Sequence, residues 1–137
     1  MNITQQVIIL SAEKSENTPE RNRQLTASLG GMLADLNINA QQAEGSFNGH
    51  TQASFVAIVK DEAEIEAVKG LALNPVGHGG FGQDAILYQD ANQEAYLLDK
   101  SGGTIQLGRL EQVNPKEIER LENYTVLNGK VYTTVKR

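Results

Sequence analysis

A chain of 137 residues with 12 Lys and Arg against 17 Asp and Glu carries a net charge of −5, which disfavours direct nucleic-acid binding, because such proteins show a basic excess or a clear basic stripe. The length suits one domain spanning residues 1–137 with a real core, and the absence of Cys removes disulfides, thiolate catalysis and Cys-based zinc sites. The apolar run Val7 to Leu10 is too short for a signal peptide or a membrane span, so the chain reads as cytosolic, with no membrane partner.

Gln6 to Ala12 is a short run of β-branched and aliphatic residues and predicts a buried strand. Thr18-Pro19-Glu20 then reads as a helix start, with Thr as N-cap, Pro at the first helical position and an acid facing the positive helix end. Leu25, Leu29, Met32, Leu33 and Leu36 give that helix one apolar stripe, while Gly30-Gly31 marks a bend or a close packing point. Two strands near Asn37 to Phe47 and Ala53 to Lys60 follow, joined through Asn48-Gly49, a pair that favours a tight turn. Asp61-Glu62-Ala63-Glu64 resembles a capping box, and Ile65, Val68, Leu71 and Ala72 continue it as a second helix. Asn74 to Gly82, with four Gly and one Pro, is a loop before the strand Ala85 to Tyr88.

This β-α-β-β-α-β order predicts an α+β, ferredoxin-like antiparallel sheet with two helices on one face. The C-terminal third adds two hairpins: Ala95 to Leu98 with Thr104 to Leu110, and Tyr124 to Leu127 with Lys130 to Val135. Asn114-Pro115 opens a short helix between them.

Several residues could carry chemistry, and each has a plain alternative. His50, His78 and Asp84 are isolated loop residues, a weak basis for a metal site, which wants several ligands of matched geometry. The Gly77 to Gly82 loop follows a helix and precedes a strand, the reverse of a phosphate-binding loop, and reads as a flexible connection, with close backbone approach to a ligand as the alternative. Asp61, Glu62, Glu64 and Glu66 are explained by capping and by the helix dipole. Arg21 and Arg23 lie early in the first helix, where they either contact an anion, are simply solvated or meet another subunit.

Ser11-Ala12 at the end of the first strand, Arg21-Asn22-Arg23 with Leu25 and Leu29 on the first helix, and Gln83-Asp84-Ala85-Ile86-Leu87-Tyr88 together resemble the bacteriophage S-adenosylmethionine lyases, formerly called hydrolases. The likeness runs from about Val7 to Tyr132. It implies a ferredoxin-like subunit that forms a homotrimer with sites for S-adenosylmethionine, or its product 5′-methylthioadenosine, between subunits. No metal or organic cofactor is implied. In that family the substrate's own carboxylate attacks its γ-carbon and expels 5′-methylthioadenosine, leaving homoserine lactone and lowering the host's methyl-donor pool, which counters restriction.

Carried over by position, Gln83 falls on the family's active-site glutamine, and Ser11, Asp84, Arg21 and Arg23 become ligand-binding candidates. The family's hairpin also carries a catalytic tyrosine and glutamate, and here Phe47 and Gln52 occupy those places. Phe47 keeps the ring without the hydroxyl; Gln52 keeps the shape without the charge. Glu44 is a nearby carboxylate to which the glutamate's role could pass. The alternative implied by these departures is a catalytically inactive homologue that acts by protein binding, for example to the host S-adenosylmethionine synthetase.

Overall fold

The computed structural model describes residues 5–47 and 49–136; Asn48, half of the expected tight turn, lies outside them. Its elements are β1 (Val7–Leu10), α1 (Pro19–Asp35), β2 (Asn39–Phe47), β3 (His50–Ile58), α2 (Glu62–Leu73), β4 (Ala85–Gln89), β5 (Ala95–Asp99), β6 (Thr104–Val113), a 3-10 helix (Pro115–Arg120), β7 (Tyr124–Leu127) and β8 (Lys130–Val135). The caps work as their residue types require. Thr18 accepts a hydrogen bond from the Arg21 amide at the start of α1, and Asp61 accepts one from the Glu64 amide at the start of α2.

The strands close into an antiparallel barrel in the order β1-β3-β2-β7-β8-β6-β5-β4, with β4 returning to β1. The expected open ferredoxin-like sheet is therefore corrected. Strands β4, β1, β3 and β2 do lie side by side, but neither outer strand is an edge: β7 pairs with β2 at Thr125↔Gly45, and β5 pairs with β4 at Leu97↔Leu87. The C-terminal hairpins, expected as additions to an open sheet, form half of the barrel wall. Closure satisfies the row of N–H and C=O groups that an open sheet leaves unpaired at each edge.

Closure also gives the sheet two different faces. Outward-pointing Ile8, Leu10, Phe55, Ala57 and Ile86 meet Leu29 and Leu33 of α1 and Ile65, Val68 and Leu71 of α2, and this is the larger core. Inward-pointing Val7, Ala43 and Val56, with Ile9, Ile58 and Leu127 against them, form a smaller apolar plug inside the barrel. Because β1 is covered on both faces, it reads as an unbroken apolar run rather than an alternating one. Gly30 is a close packing point, since a Cβ there would lie 3.1 Å from the Phe55 ring. Met32 and Leu36 fall outside the buried stripe of α1 and are exposed. No helix among the described residues is long and apolar enough to cross a membrane.

Candidate functional site

Above the apolar plug, the end of β1, the β2–β3 hairpin, the start of β4 and the β7–β8 pair border a cleft of about 750 Å³ that enters the barrel. That volume is in the range of small-molecule sites, and eight-stranded barrels leave room for one small ligand.

The β1–α1 loop is fixed at the cleft mouth by Asn22. Its side-chain oxygen accepts from the Lys14 amide at 3.1 Å, and its side-chain nitrogen donates to the Lys14 carbonyl at 3.0 Å. Ser11, buried at the end of this wall, donates its hydroxyl to the Ala53 carbonyl at 2.7 Å and accepts from the Glu13 amide at 3.0 Å. Its proton is thus spent on tying β1 to β3, and only a lone pair is left for a ligand. Glu13 and Lys14 follow directly and border the cleft, with the Glu13 carboxylate accepting from Thr26 of α1 at 3.3 Å.

Gln83 is held by the loop before it. The Gly77 to Gly82 segment, read from sequence as a flexible connection, folds back on the end of α2: Phe81 donates to the Leu71 carbonyl, Gly82 to that of Asn74 and Gln83 to that of Ala72. A Cβ at Gly80 would collide with the Asn74 backbone, so only glycine permits the close return. The buried Gln83 amide nitrogen donates to the Glu13 carbonyl at 3.1 Å, leaving its side-chain oxygen as an acceptor on the cleft side. Asp84 stands exposed at the rim in an ion pair with Lys100 at 2.9 Å.

On the β2–β3 hairpin, Phe47 is 41% exposed and lines the rim, opposite His50. Gln52 lines the cleft wall opposite Gly45, and it also borders a shallow groove on the outer surface of β2 and β3. Five of the residues carried over from the resemblance, Ser11, Phe47, Gln52, Gln83 and Asp84, thus share one cleft. Arg21 and Arg23 do not. Both are exposed on α1, and Arg21 points its guanidinium at Gln24. Glu44 lies on the outer groove, one residue out of phase with the inward Gly45, so it does not line the cleft.

Reading by sequence alone missed the inner wall. Register places Ser54 of β3, Thr125 of β7 and Tyr132 of β8 inside the barrel, with Thr125 directly opposite both Gly45 and Tyr132. The available signal was period-two alternation: Gln52 and Ser54 share a face with Val56, so polar and apolar residues of one strand look into the same space.

Two titratable groups outside the cleft are held away from their ordinary ionisation. Burial raises the Tyr88 phenol, assisted by Asp90 and Glu62, whereas hydrogen bonds from the Ser101 side chain and the Gly103 amide lower the Asp99 carboxyl. No group of three or more His, Asp or Glu side chains among the described residues converges as a metal-ligand set, and His78 does not border the cleft shared by His50 and Asp84.

No curated protein matches the sequence significantly. A family model described as the S-Adenosylmethionine lyase family matches residues 8–135, from the second residue of β1 to the last of β8. That match takes in the whole cleft together with the strands that close the barrel around it, and the chain belongs to the S-adenosylmethionine lyase family.

Proposed function

We propose that the protein binds S-adenosylmethionine in the barrel-mouth cleft and cleaves it to 5′-methylthioadenosine and homoserine lactone. The observation that carries this reading is the gathering of Ser11, Phe47, Gln52, Gln83 and Asp84 around one cleft of about 750 Å³ in a chain of this family. The reaction asks little of the side chains. An oxygen of the substrate carboxylate bonds to its own γ-carbon, the bond from that carbon to the sulfonium breaks, and its electron pair neutralises sulfur. No proton moves, so neither a general base nor an acid is needed, and Gln52 is compatible with the chemistry.

What the protein supplies is shape. The methionyl tail must fold so that carboxylate oxygen and γ-carbon meet in line, and holding such a near-attack geometry is a large part of what catalysis can contribute. The rim carries Glu13, Glu16 and Asp84 against Lys14 and Lys100. This modest acidic excess suits a ligand with one net positive charge. The reading includes a homotrimer with sites between subunits and action in the cytoplasm of a phage-infected bacterium, where loss of the methyl donor counters restriction.

Incubating the purified protein with S-adenosylmethionine and following 5′-methylthioadenosine and homoserine lactone by chromatography tests cleavage. Product well above the uncatalysed background is expected, and none above it overturns the enzyme reading. Phe47, a ring without a hydroxyl exposed at the rim, favours the second reading, an inactive homologue that binds the host S-adenosylmethionine synthetase. A stoichiometric synthetase retained through purification from a bacterial lysate, with no cleavage, supports that alternative.

A further inference from the structure

The inner wall of the cleft has a feature that the proposed reaction does not use. Ser54, Thr125 and Tyr132 are 3%, 7% and 3% exposed and border the cleft, and their side-chain hydroxyls hydrogen-bond to no other described residue. Ser11, by contrast, has its hydroxyl occupied on both sides. Register sets Gly45 opposite Thr125 and Thr125 opposite Tyr132, and a Cβ at Gly45 would stand 2.9 Å from the Ser54 hydroxyl oxygen. None of the three oxygens is sealed away unsatisfied, so the inner wall offers neutral hydrogen-bonding groups that open onto the cleft and can take a polar ligand in place of water.

Charge is distributed differently. Glu13, Lys14, Asp84 and Lys100 stand at the mouth, and the layer beneath the hydroxyls is the apolar plug of Val7, Ala43 and Val56. A charged group carried into the barrel would meet only neutral hydroxyls and hydrocarbon, while a neutral, hydrogen-bonding group would be satisfied there. We propose that the ligand enters nucleoside first, with its uncharged adenosyl portion on the hydroxyls of Ser54, Thr125 and Tyr132 and its charged methionyl tail at the rim. This assignment rests on the reading of the cleft as an S-adenosylmethionine site. It makes Tyr132 and Thr125 affinity-determining residues for a thioether nucleoside as much as for the full sulfonium substrate.

Titration calorimetry with S-adenosylmethionine and with 5′-methylthioadenosine, which has the nucleoside and no charged tail, separates the two ends. Tyr132→Phe and Thr125→Val are expected to weaken both ligands by the same factor, about three- to tenfold. Asp84→Asn is expected to weaken S-adenosylmethionine only. Because the Tyr132 hydroxyl has no partner among the described residues, Tyr132→Phe without ligand should unfold at the wild-type temperature. A several-degree fall would assign the hydroxyl a structural role and overturn the proposal. So would a Tyr132→Phe protein that loses S-adenosylmethionine affinity and keeps that for methylthioadenosine, since the charged end would then lie inward. Wild-type protein that binds neither ligand instead overturns the underlying reading of the cleft, and this orientation with it.

Discussion

Position 52 is where one side chain can be used to test the proposed site. Gln52 faces the cleft from β3, and Glu13 borders the same two spaces, the cleft and the outer groove. Displacement of the sulfonium consumes one positive and one negative charge, so an added carboxylate would not favour the transition state over the bound substrate through the sulfonium. Its benefit would come from the ammonium, whose charge does not change during the reaction. A hydrogen bond to a charged group is worth about 1.5 to 3 kcal/mol. Gln52→Glu is therefore expected to raise kcat/KM roughly ten- to hundredfold, chiefly by lowering KM, in steady-state assays of methylthioadenosine release. An unchanged KM would take position 52 out of the ligand's path.

At the level of elements, β6 shows what closing this barrel demands. Its pairing with β5 shifts register between Ala95↔Gly108 and Tyr96↔Gln106, a bulge in which Gly108 takes φ +97°. A Cβ there would strike the backbone of Val135 and Lys136, where β8 ends beside β6. Gly108→Ala combines a forbidden backbone region with that collision, and a loss of roughly 2 kcal/mol or more is expected as a lowered urea midpoint at unchanged slope. Helices and strands were legible because their signals are local: Thr18 and Asp61 as caps, period-two or unbroken apolar runs for strands. The pairing of β2 with β7 and of β4 with β5 was not. It is made by main-chain groups common to every residue, and in the first case it joins Gly45 to Thr125, far apart in sequence. The same limit hid part of the cleft lining. Ser11, Gln52 and Gln83 came from a family resemblance, whereas Thr125 and Tyr132 look like the solvated face of a terminal hairpin until closure turns that face inward.

For the molecule as a whole, the barrel rather than its first six elements should be the unit that folds. Residues up to Gln89 contain β1 to β4, both α-helices and every buried residue of the larger core, with only Leu98 of β5 packing against it from beyond, so an independently stable open sheet would need little more. In the barrel, however, β2 and β4 give their outer edges to β7 and β5, and the plug of Val7, Ala43 and Val56 is shielded from water partly by Leu127 of β7. A fragment ending at Asp90 would expose two unpaired edges and one apolar face together, the surfaces that drive strand-to-strand aggregation. It is expected to show no cooperative thermal transition by circular dichroism, where the full chain shows one. The turn at Asp90 to Gln93 is closed by hydrogen bonds within the turn itself, so a break there removes little else. Supplying residues 91–137 as a separate chain should restore the transition together with methylthioadenosine binding, since Thr125 and Tyr132 arrive with it. A 1–90 fragment that melts cooperatively on its own would show that the open sheet is a complete folding unit and that closure serves the cleft alone.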